Sequence, residues 1–228
     1  MTAEDPDKHT RDLAADSFAE NDPTAWFDRL YTQANEGEAT VPWDHEQPQQ
    51  LLVDWVDQHH VSGDGQRALV IGAGLGRDAE YLASLGFDTT AFDVSGTAVE
   101  TARHRHPNST VDYRVANLLE LPAGWLYSFD FVFESLTVQS LPEPPRHEAI
   151  ARVRSLLRPG GILLVVANAR GEQEGADGPP WPLTPTEVEL FGDDSVTEIS
   201  RERVPDENDP AIHRWRVVYQ RASTETAE

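Results

Sequence analysis

The chain contains no cysteine. Disulfides, thiolate zinc sites and a cysteine nucleophile are therefore excluded, and a reducing compartment suits the composition. Lysine is almost absent as well: Lys8 stands alone beside 17 arginines, against 40 aspartates and glutamates and a net charge of −22. A surface of that sign repels nucleic-acid backbones and anionic headgroups, which argues against nucleic acid and membrane as partners. No apolar run approaches the ~20 residues of a membrane span, and Met1–Asp7 lacks the basic and apolar regions of a signal peptide. A cytoplasmic protein acting on a small molecule is expected, as a monomer or homodimer.

At 228 residues the chain fits one domain with a sizeable core. Residues 67–77, Arg-Ala-Leu-Val-Ile-Gly-Ala-Gly-Leu-Gly-Arg, read as a buried strand, a turn with glycine at every second position, and the start of a helix. Glycines there let the chain turn sharply and keep Cβ atoms out of a ligand's way at a helix N-terminus. The same residues would also serve a plain tight turn. A dinucleotide fingerprint needs its third glycine at position 77, which is Arg77. A second strand ends in Asp93, placing a carboxylate where nucleotide-binding sheets hold ribose hydroxyls; capping the next helix is the other reading, although Ser95 already suits that position. The third strand's end presents Asn117 and Leu118 to an adenine ring. A fourth strand spans 129–134, and a fifth follows Arg158-Pro159-Gly160-Gly161. Strands alternating with helices predict a parallel sheet of right-handed units.

The glycine loop, Asp93 and the Arg-Pro-Gly-Gly turn together resemble the class I S-adenosylmethionine-dependent methyltransferases over roughly residues 23–222. The flanks narrow the likeness. Trp26-Phe-Asp-Arg-Leu-Tyr31, then Val41-Pro42-Trp43-Asp44, and Gly178-Pro-Pro-Trp181-Pro-Leu-Thr184 are similar to segments of the thiopurine, thiol and halide methyltransferase group. The resemblance implies a doubly wound, Rossmann-like α/β fold: a seven-stranded, mostly parallel sheet, a C-terminal antiparallel hairpin and an N-terminal helical lid over 23–60. The cofactor-binding core would span 67–168, with a substrate-side loop and hairpin over 169–222. Residues 1–22 read as a flexible acidic arm and 223–228 as a disordered tail.

S-adenosylmethionine is the implied cofactor and S-adenosylhomocysteine its product. Gly72, Ala73, Gly74 and Gly76 would cradle the methionine portion; Asp93 and Val94 would meet the ribose, and Asn117 and Leu118 the adenine. Trp43 would close over the cofactor, and Trp26, Trp43, Glu134, Ser135 and Trp181 would shape the acceptor pocket. Two departures stand out. Ile71 occupies the place just ahead of the first glycine where the family often has an acid, and Ser135 replaces the arginine that often follows the strand-four acid in thiopurine enzymes.

Methyl transfer from a sulfonium demands mainly positioning, and near-attack geometry supplies on the order of 7–11 kcal/mol. A thiol or other soft nucleophile needs little else, and this is the expected acceptor. An oxygen or nitrogen acceptor would need a base within reach, for which Glu134 and His45 are the candidates. A cofactor-binding protein without catalysis is the more distant alternative. Asp44 is expected to cap the following helix. His59-His60 and His104-x-His106 lack the i, i+4 spacing of paired metal ligands, so no metal is expected. Trp215, among alternating neighbours, is expected to pack in the core.

The acids are spread along the chain rather than clustered, which points to a salt-adapted surface. Screening of that self-repulsion makes the melting temperature rise as potassium chloride is added. A melting temperature that stays flat or falls across the titration contradicts the assignment.

Overall fold

The computed structural model describes residues 6–206 and 209–223, with the side chains of Pro6 and Asp7 left aside. Seven strands form one sheet: β1 (Arg67–Ile71), β2 (Asp88–Asp93), β3 (Asp112–Val115), β4 (Phe129–Ser135), β5 (Leu157–Asn168), β6 (Val196–Pro205) and β7 (His213–Arg221). Their order is β3-β2-β1-β4-β5-β7-β6. The first five are parallel, and β7 runs antiparallel between β5 and β6. This is the doubly wound sheet with a terminal hairpin that the sequence predicts.

The reason lies in the strand sequences. Ala68–Ile71, Phe131–Phe133 and Leu163–Ala167 are apolar runs buried on both faces, as central parallel strands require. One face meets Leu69, Ile71, Val132 and Val165, together with α6 (Pro145–Ser155). The other meets Val70, Phe133 and Leu164, together with α3 (Gln50–His59) and α4 (Arg77–Ser84). Each fully buried Val, Leu, Ile or Phe contributes roughly 1.5–3 kcal/mol. β5 is longer than its apolar run because the Arg-Pro-Gly-Gly turn enters the ladder, with a register shift opposite Phe129–Phe131. Trp215 is buried and donates to the Leu183 carbonyl at 2.8 Å, a packing role as its alternating neighbours predict.

Two expectations are corrected. Residues 1–22 read as a flexible arm, yet Pro6–Ala19 forms helix α1. It packs through Ala14, Leu13 and Phe18 on α2 (Ala25–Asn35), in a cluster with Trp26, Leu30 and Tyr31. Ser17 fixes the junction, since its buried hydroxyl donates to the Asp22 carbonyl and accepts from the Trp26 amide. Asp44, expected as a helix cap, instead pairs bidentately with Arg105 of α5 (Gly96–Arg105) at 2.8 and 2.9 Å. The cap of α3 is Gln49, whose side chain accepts from the Leu51 amide. Most of the expected tail, 224–228, lies outside the described residues. Among the described residues no helix is long and apolar enough to cross a membrane.

Candidate active site

The carboxyl edge of the sheet opens into a cavity of about 600 Å³. Its floor follows the sheet order: Asn117 after β3, Asp93 at the end of β2, Gly72 and Gly74 after β1, Ser135 at the end of β4, Asn168 at the end of β5 and Arg214 at the start of β7. Trp26, Tyr31 and Trp43 form the roof, with Thr10 and Arg11 contributed by α1.

The glycine loop is clamped from both sides. Gly72 has φ +59°, and a Cβ there would meet the Thr137 hydroxyl at 2.2 Å. Gly74 has φ +52°, and a Cβ would meet the Tyr31 hydroxyl at 2.8 Å. Both positions therefore require glycine on conformation and on space. Asp93 locks the loop to β2: one oxygen accepts from the Gly74 amide and the other from the Ser95 amide, each at 2.9 Å. Burial pushes the Asp93 carboxyl up from its ordinary value, and those amides oppose the rise. Ser95 caps α5, accepting from Ala98. Asp28 of α2 receives the Ser95 hydroxyl at 2.6 Å and the Thr97 amide at 3.0 Å, so the roof is bound directly to the turn after β2.

The roof is aromatic. Trp43 donates its indole N–H to the Tyr31 hydroxyl at 2.8 Å and stands edge-on to Trp26. Burial raises the Tyr31 pKa, which keeps the phenol protonated. Arg77 fastens the Trp43 segment from below by donating to the Trp43 carbonyl at 3.2 Å. Trp26 keeps its buried Nε1 without a partner.

Most predicted site residues meet at this cavity: Gly72, Ala73, Gly74, Asp93, Val94, Asn117, Leu118, Trp26, Trp43, His45 and Ser135 all line it. Three do not. Gly76 sits behind the loop as the N-cap of α4, beneath Tyr113. Trp181 packs against Phe18 and beneath Arg146, while its neighbours Pro179 and Pro180 reach the wall. Glu134 is fully buried in the sheet, in register between Ile71 and Val165. One of its oxygens accepts from the Thr137 and Val138 amides at 2.8 and 3.0 Å. The other has no partner. Glu134 thus shapes the turn whose residues line the cavity, without reaching it. Asn168, Arg214, Tyr31, Arg77 and Gln139 also line it, unforeseen from sequence. Their signal was positional: Asn168 ends a parallel strand, and Arg214 begins the strand returning beside it. Among the described residues no three metal-ligating side chains gather. His59 and His104 each bond a backbone carbonyl one turn earlier at 2.8 Å.

Residues 69–165 match a family described as Methyltransferase domain. Over that segment, fewer than half of the chain's residues, the chain is similar to methyltransferase domains. Relatives include the ubiquinone biosynthesis O-methyltransferase of Xanthomonas campestris pv. campestris, 36% identical over 133 residues, 54% of each chain. Another is the thiopurine S-methyltransferase of Vibrio vulnificus, 38% identical over 84 residues, 36% of this chain and 38% of that one. The chain thus spans about half the length, or less, of these relatives. The N-methyltransferase NodS of Bradyrhizobium japonicum WM9, solved with S-adenosyl-L-homocysteine, shares the fold at TM-score 0.62 and 19% identity, over 85% of this chain and 98% of that one. A structure described by conversion of a disulfide bond into a thioacetal group during echinomycin biosynthesis superimposes at TM-score 0.69 with 20% identity, covering 88% and 94%. The matched segment runs from β1 into β5, and so takes in the β1-β2-β3 edge of the cavity.

Burial raises the Glu134 carboxyl from its ordinary value to about 7, against the pull of its two amide donors. A carboxyl raised in the folded state contributes stability at low pH that is lost as pH climbs through about 7. Glu134→Gln keeps an acceptor for Thr137 and Val138 but cannot ionise. Its unfolding free energy should fall less between about pH 5 and about pH 8 than the parent's does over the same range. Parallel pH profiles for the two proteins contradict this.

Proposed function

We propose that this protein transfers a methyl group from S-adenosylmethionine to a small-molecule acceptor whose nucleophile is a thiol or another soft heteroatom. The residues present fit the cofactor. Gly72 and Gly74 line the cavity with bare backbone, held close under Thr137 and Tyr31 where no Cβ fits. Asp93 lines the cavity and accepts from the backbone amides of Gly74, Val94 and Ser95, with lone-pair capacity remaining for a ribose hydroxyl. Asn117 and Leu118 border the place for adenine, and the glycine loop the place for the methionine portion. Bound there, the cofactor supplies a methyl group already activated by a cationic sulfur.

The observation that carries the soft-nucleophile reading is the burial of Glu134 outside the cavity wall. One oxygen of the carboxyl near the end of β4 is held by two backbone amides, and the buried group does not line the cavity. Other acids on the wall are committed too: Asp44 to Arg105, Asp78 to the Gln49 amide at 2.7 Å, and Asp93 to the loop. An alcohol or a protonated amine needs a base at its proton, whereas a thiol delivers a thiolate fraction from solution near neutral pH. The chain's own contribution is then orientation and exclusion of water by the aromatic roof. A second reading, O- or N-methylation, rests on His45, which does line the cavity.

Calorimetric titration with S-adenosylhomocysteine tests the cofactor assignment. Binding is expected for the parent and lost in Asp93→Ala, with cooperative unfolding retained; equal binding by both proteins contradicts the ribose anchor. Labelled methyl transfer to thiophenol separates the two readings. Unchanged turnover in His45→Ala supports the soft nucleophile, and activity restricted to phenols or amines and lost in that variant supports the base.

A further inference from the structure

The cavity is divided in charge along the sheet. Asp93 ends β2, Asp78 and Glu80 belong to α4, and Asp44 and Glu46 lie on the segment that Arg77 and Arg105 pin over α4 and α5. Every acid on the wall therefore belongs to the β1-β2-β3 side, where the cofactor's cationic groups are expected. The β4-β5-β7 side has none. Its wall is made by the turn after β4, Asn168, Pro179, Pro180 and Arg214, with Thr10 and Arg11 from α1. In a chain of net charge −22, a cavity wall free of acids, with an exposed Arg11 and an Arg214 set by Asp206 behind it, is less negative than the opposite wall.

Arg214 is built in rather than loose. It faces Asn168 across the β5–β7 ladder, and Asp206 holds it through Nε and Nη2, both at 2.8 Å from one oxygen. That grip takes the Nε–Nη2 edge and leaves Nη1, with the second N–H of Nη2, as the end-on fork that suits a planar carboxylate. Arg11 shares a face of α1 with Phe18, which packs on Trp181 beside Pro180. Two further polar groups on the cavity wall are buried without partners: the side-chain oxygen of Asn168 and the indole Nε1 of Trp26. Internal hydrogen bonding satisfies nearly all such groups in a folded protein; here the Trp26 N–H is a donor open to an anion, and the Asn168 oxygen is an acceptor open to a donor group of the same ligand.

We propose that the β4-β5-β7 half of the cavity is an anion subsite, and that the methyl acceptor is a small aromatic soft nucleophile carrying a carboxylate held by Arg214 and Arg11. The aromatic ring is matched to the roof of Trp26 and Trp43, and the carboxylate to the one side of the cavity without acids. This deepens the methyltransferase reading and rests on it.

The test uses the full chain with S-adenosylhomocysteine present, so that binding is read without turnover. The ligands are mercaptobenzoate, thiophenol and an aminomethyl thiophenol, compared by calorimetry. A charge-assisted contact predicts that mercaptobenzoate binds roughly tenfold or more tightly than thiophenol. That advantage should shrink in Arg214→Gln and in the exposed-site variant Arg11→Gln, and it should fall with added salt. Thiophenol itself should bind all three proteins alike. Equal binding of the three ligands, or preference for the amine, overturns the anion subsite while leaving the methyltransferase reading intact. A preference for mercaptobenzoate that survives in both variants also overturns it. Failure of S-adenosylhomocysteine to bind the parent is the distinct result that removes the underlying reading.

Discussion

The Asp93 carboxylate is the tie on which the site depends. By accepting from Gly74 and Ser95 it joins the loop after β1 to the turn after β2. Ser95 in turn caps α5 and donates to Asp28 of the roof helix. One buried carboxylate thus sets the glycine loop, the start of α5 and, at one remove, the position of the aromatic roof. A second clamp acts from the other side: Glu134 holds the Thr137 amide, and the Thr137 hydroxyl donates to the Ile71 carbonyl at 3.2 Å, against Gly72. The two acids have parallel roles in opposite halves of the sheet, and only Asp93 reaches the cavity. Their burial opposes ionisation in both cases.

Charge on this molecule works on two scales. Over the whole surface the excess of acids provides solubility and self-repulsion. At the cavity the acids are sorted to one side, and three of the arginines there are fixed by named partners. Arg77 and Arg105 hold the Trp43 segment, while Arg214 is set by Asp206. The scarcity of lysine fits this use, because planar guanidinium groups hold backbone carbonyls and carboxylates in fixed geometry where an ammonium would not.

How much of this was legible in the sequence follows from the physics of each element. β1, β4 and β5 are continuous apolar runs with glycine or turn residues at their ends, so they announce themselves. Helix α1 was missed because it buries Thr10, Ala14 and Ser17, small residues that leave no apolar stripe to read. Asp44 looked like a helix cap because aspartate suits that position, yet His45–Pro48 intervene and Gln49 serves instead. The place of Glu134 near the strand end was readable; its direction was not, because the pull comes from amides released by the turn that follows. Asn168 and Arg214 become site residues only through the antiparallel return of β7, a pairing between segments far apart in the chain.

A crystal structure of the protein with S-adenosylhomocysteine tests the central claim most directly. Ribose oxygens are expected on Asp93, the homocysteine portion over Gly72 and Gly74, adenine beside Asn117 and Leu118, and open space between Asn168, Arg214 and the roof. A ligand lying instead across β4, β5 and β7, or one making no contact with Asp93, would contradict the division of the cavity into a cofactor half and an acceptor half.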